Sequence, residues 1–505
     1  MILTIGIIYL LLMFGIGLWS TKHQKDMGTF YIGGRSFGPW LIALAVSSTT
    51  MSGFGFVGLP GLVYENGYSI FMIGIFATGG IFVSFLILAK PMRRITEKFG
   101  SLTIPDLLEI RYKSKAVRGI TALAILGGAI GYQMAQYKAL GNMLQTILGI
   151  NYQMALLIGV TILTVYVVGG GIISAVWTDF IQMIIMVIGS LIVFIGGMNM
   201  VGGMTKMNTD LASINPDMVN AYHSTGSIGI FAFISYFFIY MIGHQGQPHV
   251  VSKFYMIKKA SMLKWACIIA ASTYGITVLL WFAGLYARVM VSNGSMAAPA
   301  SPDLVTPMFI QTFFHPVVAG LIFAAVMAAI MSTSEAFLLV ASSSIVRDIY
   351  QQIIRKGEEL PKTKELAYSR GVTLGVIALT FLLSLNPPDL VGWLGNASWG
   401  IFSASLVPVL SIGLLWKRAT REAAIWSSAL GLICSLGLYI LKVKGIYVPK
   451  LDTGALAMII STVSFIGISL ITKPQDSEIF EQENNRHYYD NDKKALSVDT
   501  TTTKA

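Results

Sequence analysis

The stretch Ser47–Gly61 reads SSTTMSGFGFVGLPG, and its interpretation decides the fold. It lies in a run apolar enough to cross a bilayer, yet it carries five hydroxyls, four glycines and a proline. Glycine and proline weaken a helix interior, and Ser and Thr offer the backbone local competitors. In lipid, main-chain groups released from a helix need new partners, so an interrupted helix survives at mid-membrane only when buried in protein or lining a cavity. Carbonyls freed there are ready ligands for a small cation. The same composition also suits a helix whose Gly and Ser let neighbours approach closely. The rest of the chain bears on that choice.

Of the 505 residues, 54% are hydrophobic and 12% charged, against about 25% charged in a soluble chain. One polytopic membrane domain accounts for the length. The net charge of +11 sits mostly in short loops, where it sets orientation and does not signal nucleic-acid binding. Cys267 and Cys434 both fall in apolar runs and read as packing residues. Ile2–Trp19 has no basic region before it and no small-residue cleavage site after it, so it reads as a retained span.

A crossing helix needs about 20 residues. Thirteen candidate runs lie near 2–20, 38–63, 70–89, 117–148, 153–170, 180–201, 226–250, 264–290, 316–346, 368–386, 390–415, 422–441 and 454–472. One set of loops is basic: Lys22, Lys25 and Arg35, then Lys90 to Lys98, Arg111 to Arg118, Lys253 to Lys264, Arg347 to Arg370 and Lys417 to Arg421. That side is expected to be cytoplasmic, with the N-terminus outside and the C-terminus inside. Lys442, Lys444 and Lys450 run against the pattern. Leu304–Phe314, in an outer loop, has helical apolar spacing and suggests a short surface helix. Residues 473–505 lose hydrophobicity and read as a disordered cytoplasmic tail.

A second interruption closes span 226–250, in YFFIYMIGHQGQPHVVSKFY. It lies five spans after the first and so crosses in the opposite sense. Two interrupted spans in corresponding places of opposed halves point to a secondary transporter's binding site. Tyr240 and His244, one turn apart, are cavity candidates. Gln247 and His249, near Lys253, read as polar residues at the membrane edge. Span 316–346 contains AAIMSTSEAFLLVASS, in which Ser332 and Thr333 offer hard oxygens suited to sodium. Such hydroxyls also commonly bond back to their own helix. Glu335 is an intramembrane carboxylate and by default a functional candidate. Asp179, in SAVWTDFIQ, suits either a functional role or an N-terminal helix carboxylate facing the macrodipole. No buried Arg or Lys stands out in the core spans for a solute's carboxylate, which would then rest on helix termini and hydroxyls.

In order and spacing, YIGGRSFGPW, SGFGFVGLPG, GGGIISAVWTDFIQ, GQPHVVSKF and AAIMSTSEAFLLVASS resemble the sodium:solute symporter family over about residues 1–472. GLPG and GQPH are most similar to its sodium/proline branch. The resemblance implies an all-α fold of leucine-transporter type. Two inverted five-helix repeats would occupy 38–201 and 226–415, flanked by 2–20, 422–441 and 454–472. It implies a sodium site made by carbonyls of Ser48, Met51 and Ala329 with the hydroxyls of Ser332 and Thr333. It places solute near Met51, Ser52, Gly53, Tyr132, Gln136, Tyr240, His244 and Pro248. Proline symporters carry Trp where Tyr240 stands, Tyr at His244 and Asp at Thr50, so this pocket wall differs. Some members hold a second sodium with hydroxyls at the positions of Glu335 and Ala336 and the aspartate matching Asp179. Those hydroxyls are absent here, and that site is expected to be missing or altered. Asp179 and Glu335 are expected to approach and share a proton or a cation.

The function expected is sodium-coupled import of a small organic solute across the cytoplasmic membrane by alternating access. An amino acid such as proline leads; a monocarboxylate or pantothenate is the alternative. No Walker-type phosphate loop supports a primary pump. A transporter-like sensor would need a signalling module, which the short tail does not provide. A membrane enzyme would have only His244 with Glu335. The partners expected are the solute, sodium and lipid, with no nucleic acid or protein partner and no prosthetic group.

Overall fold

Glycine and proline interrupt the chain where they cluster. The computed structural model describes residues 1–21, 35–169, 172–221, 229–358 and 360–474. Lys22, Lys25, the start of YIGGRSFGPW and the expected tail from 475 onward lie outside them. Among the described residues the chain is helical throughout and no strand forms.

The helix Pro39–Thr50 stops at Met51, whose backbone is extended at φ −86° and ψ 118°. After Gly53 the chain recoils through a wide turn over Phe54–Gly58 into Leu59–Asn66. The second interruption is more gradual. Ile230–Tyr236 widens over Phe237–Ile242, tightens over Gly243–Gly246, and breaks at Gln247, extended at φ −79° and ψ 103°. Pro248 then opens the turn Pro248–Val251, where its fixed φ and missing N–H cost nothing.

One isolated bridge ties the two broken segments together. Phe37 N–H donates to the Met256 carbonyl at 3.3 Å, and Lys258 N–H donates to the Phe37 carbonyl at 2.9 Å. Arg93 Nε adds a bond to the Ile257 carbonyl at 2.8 Å. The first broken segment therefore begins on the face where the second ends, and the two cross the protein in opposite senses.

Among the described residues, eight helices are long and apolar enough to span a bilayer. Nine are counted if Lys115–Leu148 and Tyr152–Val167, bent by 112° at their junction, form one span. The expected number of thirteen is not reached by length and hydropathy. The difference falls on that pair and on three shorter apolar helices, Ile2–Ile16, Pro39–Thr50 and Ile230–Gly246. The last two are short because they are the interrupted ones. The helix Pro316–Ser343 is the most deeply set: from Ala319 to Leu338 only Leu321 is not buried. The expected surface helix is present as Val305–Phe313, with Val305, Phe309 and Ile310 turned inward.

On the basic side, Arg118 binds three carboxylates, Glu109 at 2.6 Å, Asp348 at 2.9 Å and Asp106 at 3.1 Å. This ties the ends of Ile104–Tyr112, Lys115–Leu148 and the segment after Ser343 into one ionic cluster. Cys267 and Cys434 are both free thiols.

Candidate functional site

The first break leaves main-chain oxygens facing the Pro316–Ser343 helix. Ser332 Oγ donates to the Ser48 carbonyl at 3.1 Å and also to its own Ala329 carbonyl at 3.2 Å. Thr333 Oγ1 donates to the Thr49 carbonyl at 3.3 Å. Ser48 Oγ is buried beside them without a hydrogen-bond partner. The donor set is therefore hydroxyl and carbonyl oxygen alone, the ligand type hard cations prefer. Four of the five expected sodium-site residues contribute side-chain or main-chain oxygens to this cluster; for Met51 only its N–H bond to the Ser47 carbonyl is defined. Thr49, which the expected set omits, supplies a carbonyl. Its signal was the hydroxyl run itself, in which adjacent carbonyls lose helical partners together.

The expected solute residues gather around both breaks. Gly53 N–H donates to Gln136 Oε1 at 2.9 Å, and the Ser52 and Tyr132 hydroxyls bond at 2.8 Å. Gly53 is required here, because a Cβ would lie within 2.9 Å of Ile330, Ala139 and Gln136. Tyr240 stacks on Phe54 from the first break, with centroids 6.3 Å apart and planes 8° apart. Tyr240 and His244 both pack on Trp399, at 5.0 and 5.8 Å. The Tyr240 hydroxyl donates to Asn396 Oδ1 at 2.7 Å, and Asn396 Nδ2 donates to Asp452 Oδ2 at 2.8 Å. His244 Nδ1 engages Ser84 Oγ at 2.8 Å. Met51, Ser52, Tyr132, Gln136, Tyr240 and His244 are all buried. Pro248 lies with His249 and Lys253 along a cavity that extends to Leu102–Pro105.

Nitrogens in this region without a hydrogen-bond partner include Gln136 Nε2, His244 Nε2, Trp399 Nε1 and both ring nitrogens of His249. The second break's own carbonyls are covered from the Val391–Val407 helix. Ser403 Oγ donates to the Gly243 carbonyl at 3.3 Å and to the Ile239 carbonyl at 3.4 Å. Trp399, Asn396 and Ser403 were not expected. They stand in a run, NASWGIFSAS, whose small and polar residues recur at helical spacing but carry no motif.

The carboxylates depart from expectation. Asp179 and Glu335 are both buried, but they take separate partners. Asp179 Oδ2 forms an ion pair with Lys253 Nζ at 2.6 Å. Glu335 Oε2 accepts from the Tyr166 hydroxyl at 2.6 Å and the Thr178 hydroxyl at 3.5 Å. Asp179 and Glu335 still lie close enough for the charge of one to act on the other, and Lys253 stands beside Asp179 as a counter-charge. Asp179 is not an N-terminal helix carboxylate either, since it sits two turns inside Ile172–Met200. Lys253 is itself buried, at 2% exposed, and it serves this protein carboxylate. Gln247 and His249, expected at the membrane edge, are fully buried, His249 against Phe337 at 4.2 Å. The second broken segment runs deeper into the protein than its sequence of loop-like polar residues implied.

The profile of the sodium:solute symporter family matches residues 30–431. The chain is 30% identical over 464 residues to the sodium/pantothenate symporter of Haemophilus influenzae, covering 90% of this chain and 94% of that one. It is 32% identical over 434 residues to the sodium/proline symporter of Staphylococcus aureus, with 83% and 82% covered. It is 28% identical over 479 residues to the osmoregulated proline transporter of Bacillus subtilis, with 94% and 95% covered. Among solved structures, a sodium-coupled sialic acid symporter in a substrate-bound, outward-open state superposes with a TM-score of 0.80 at 21% identity, covering 94% of this chain and 98% of that one. A nucleobase-cation-symport-1 family transporter in a closed conformation gives 0.51 at 13% identity, with 90% and 97% covered. At those identities the likeness shows the fold, which is of leucine-transporter type.

Proposed function

The chain belongs to the sodium:solute symporter family, and from that premise we propose that it imports a small carboxylate-bearing solute, with an amino acid such as proline first, on the sodium gradient. It is a multi-pass membrane protein with sodium as its coupling ion, in a family of transporters and not of enzymes. We place the N-terminus outside, the C-terminus in the cytoplasm, and the two inverted repeats at 38–201 and 226–415. The basic cluster around Arg111 and Arg118 supports that orientation.

One observation carries the reading: the hydroxyls of Ser332 and Thr333 meet the Ser48 and Thr49 carbonyls at the first break. A sodium ion there takes the place of the hydroxyl protons between those oxygens and bonds the broken helix to the Pro316–Ser343 helix. Solute binds across the Phe54–Tyr240 stack, between the breaks. Each ligand stabilises an arrangement of the broken helices that the other also favours, which is sufficient for coupling. Rocking of the broken segments then exposes both to the cytoplasm.

The sodium/pantothenate relative gives a second reading specific support, since Tyr240 and His244 depart from the residues of proline symporters. Gln136 Nε2 and Trp399 Nε1 lack acceptors, which fits the carboxylate of either solute. The test is uptake into proteoliposomes under an imposed inward sodium gradient, comparing labelled proline, pantothenate and short monocarboxylates. Sodium-driven accumulation of one of them is expected. Equal uptake with and without the gradient overturns the proposal.

A further inference from the structure

We propose that the Lys253 ammonium is a tethered cation that satisfies Asp179, so that the transporter binds one sodium ion at the first break and no second mobile cation. The inference rests on the reading of Ser332 and Thr333 as the sodium site.

A carboxylate taken out of water needs a counter-charge, from the protein or from solution. Asp179 and Lys253 are 1% and 2% exposed, and Asp179 Oδ2 lies 2.6 Å from Lys253 Nζ. The same ammonium donates to the Ala45 carbonyl at 3.2 Å. Ala45 is one helical turn before Thr49, whose carbonyl faces Thr333. A carboxylate and a main-chain carbonyl of the broken helix are the oxygens a small monovalent cation takes, and here a compact ammonium on a flexible stem takes them. Asp179 Oδ1 has no hydrogen-bond partner, so the carboxylate retains capacity for another cation contact. Glu335 lies within electrostatic range of both Asp179 and Lys253 but takes its hydrogen bonds from Tyr166 and Thr178, not from the ammonium.

The counter-charge at Asp179 therefore travels with the chain and does not exchange with solution. Removing it frees Asp179 Oδ2 for an ion, beside the Ala45 carbonyl, which then keeps only the Thr49 hydroxyl at 2.9 Å as a side-chain donor. The test is the number of radioactive sodium ions bound at saturation by the purified full-length protein, which needs no knowledge of the solute. The wild type is expected to bind one per chain and Lys253→Met two. Lys253→Arg, which keeps a cation, and the double variant Lys253→Met with Asp179→Asn are each expected to return to one. A lysine that merely holds helices together would change stability without changing that number. Two ions in the wild type overturn the proposal, as does a single ion in a Lys253→Met protein that sodium still stabilises against heat. If Lys253→Met does not fold, the wild-type and double-variant counts decide, and two ions in either overturn it. No sodium in the wild type overturns the underlying site together with this inference, whereas one ion in every variant overturns this inference alone.

Discussion

The two breaks present different chemistry to the space between them. The first offers oxygen only: the Ser48 and Thr49 carbonyls, with the Ser332 and Thr333 hydroxyls opposite. The second offers rings and N–H groups: Tyr240, His244 and, from its neighbour helix, Trp399. Each break also loses main-chain partners, and each faces a hydroxyl-bearing helix that replaces them, Pro316–Ser343 for the first and Val391–Val407 for the second. At the second break, Ser403 and Gln247 both donate to the Gly243 carbonyl, and the side chains are what remains for a ligand. The same device, a kinked helix beside a hydroxyl, thus yields a cation site where side chains are small and an organic-solute site where they are large.

The largest test of that division is Ser332→Ala with Thr333→Ala. Hydroxyl contacts to a charged ligand contribute about 1.5–3 kcal/mol each, so the pair lowers sodium affinity roughly 10²–10⁴-fold. Sodium titration of thermal stability reads this, and solute affinity at saturating sodium is expected to change far less. A sodium loss below tenfold breaks the assignment of the cation to the first break. Next comes Asp179→Ala, which leaves the Lys253 ammonium buried without its carboxylate. Breaking a buried pair costs about 3–5 kcal/mol, which thermal unfolding in detergent detects. Removing both charges together is expected to recover most of that loss.

Much of this arrangement was legible in the chain. Glycine and proline marked both breaks, because their backbone effects are local and need no partner. Ser332 and Thr333 stood out because hydroxyls and a carboxylate are costly inside an apolar run. Lys253 was not legible as a buried ion. It follows Pro248 by five residues and opens a basic stretch, so charge pattern assigned it to a loop. Its carboxylate lies 74 residues away in sequence, and only the fold brings the two together. Trp399 and Asn396 were missed for the opposite reason: Trp and Asn on an otherwise apolar helix look like packing until the neighbouring rings are known. The count of thirteen is not confirmed by helix length, because a kinked helix divides its apolar length between two elements too short to pass singly.

Two substitutions sharpen the division at the solute end. Gly53→Ala places a methyl group against Ile330, Ala139 and Gln136. Overpacking of this kind costs about 1–3 kcal/mol. Gln136 is the contact able to move, so solute affinity is expected to fall roughly tenfold, since about 1.4 kcal/mol is a factor of ten. Sodium affinity is expected to fall less, and an equal loss of both would show that the two sites are not separable at Gly53. Tyr240→Phe is milder. It keeps the stack on Phe54 and removes the bond to Asn396, a loss of about 1 kcal/mol. Uptake kinetics are expected to show a few-fold rise in the solute KM with the sodium dependence unchanged.

The smallest effect lies where the end of the first broken segment meets the start of the helix that neighbours the second. Both Asp303 carboxylate oxygens accept the Val391 N–H at 3.2 Å, at the start of the helix that carries Asn396 and Trp399 to the second break. Lys138 pairs with Asp303 at 3.1 Å. Gly61, beyond the first break, packs directly on the Pro302 carbonyl, where a Cβ would clash. Burial raises the Asp303 pKa above its ordinary value, with Lys138 and the Val391 N–H pulling the other way. The folded state therefore holds this proton more tightly than the unfolded chain. Its contribution to stability is greatest below the ordinary aspartate pKa and is lost as pH rises through the folded-state value. Melting temperatures across an acidic pH series are expected to show that decline in the wild type and a shallower one in Asp303→Asn. The slope is the readout, because the variant also weakens the contact with Lys138. Parallel slopes in the two proteins would mean that the outer junction bears no titrating charge and that the breaks are held there by packing alone.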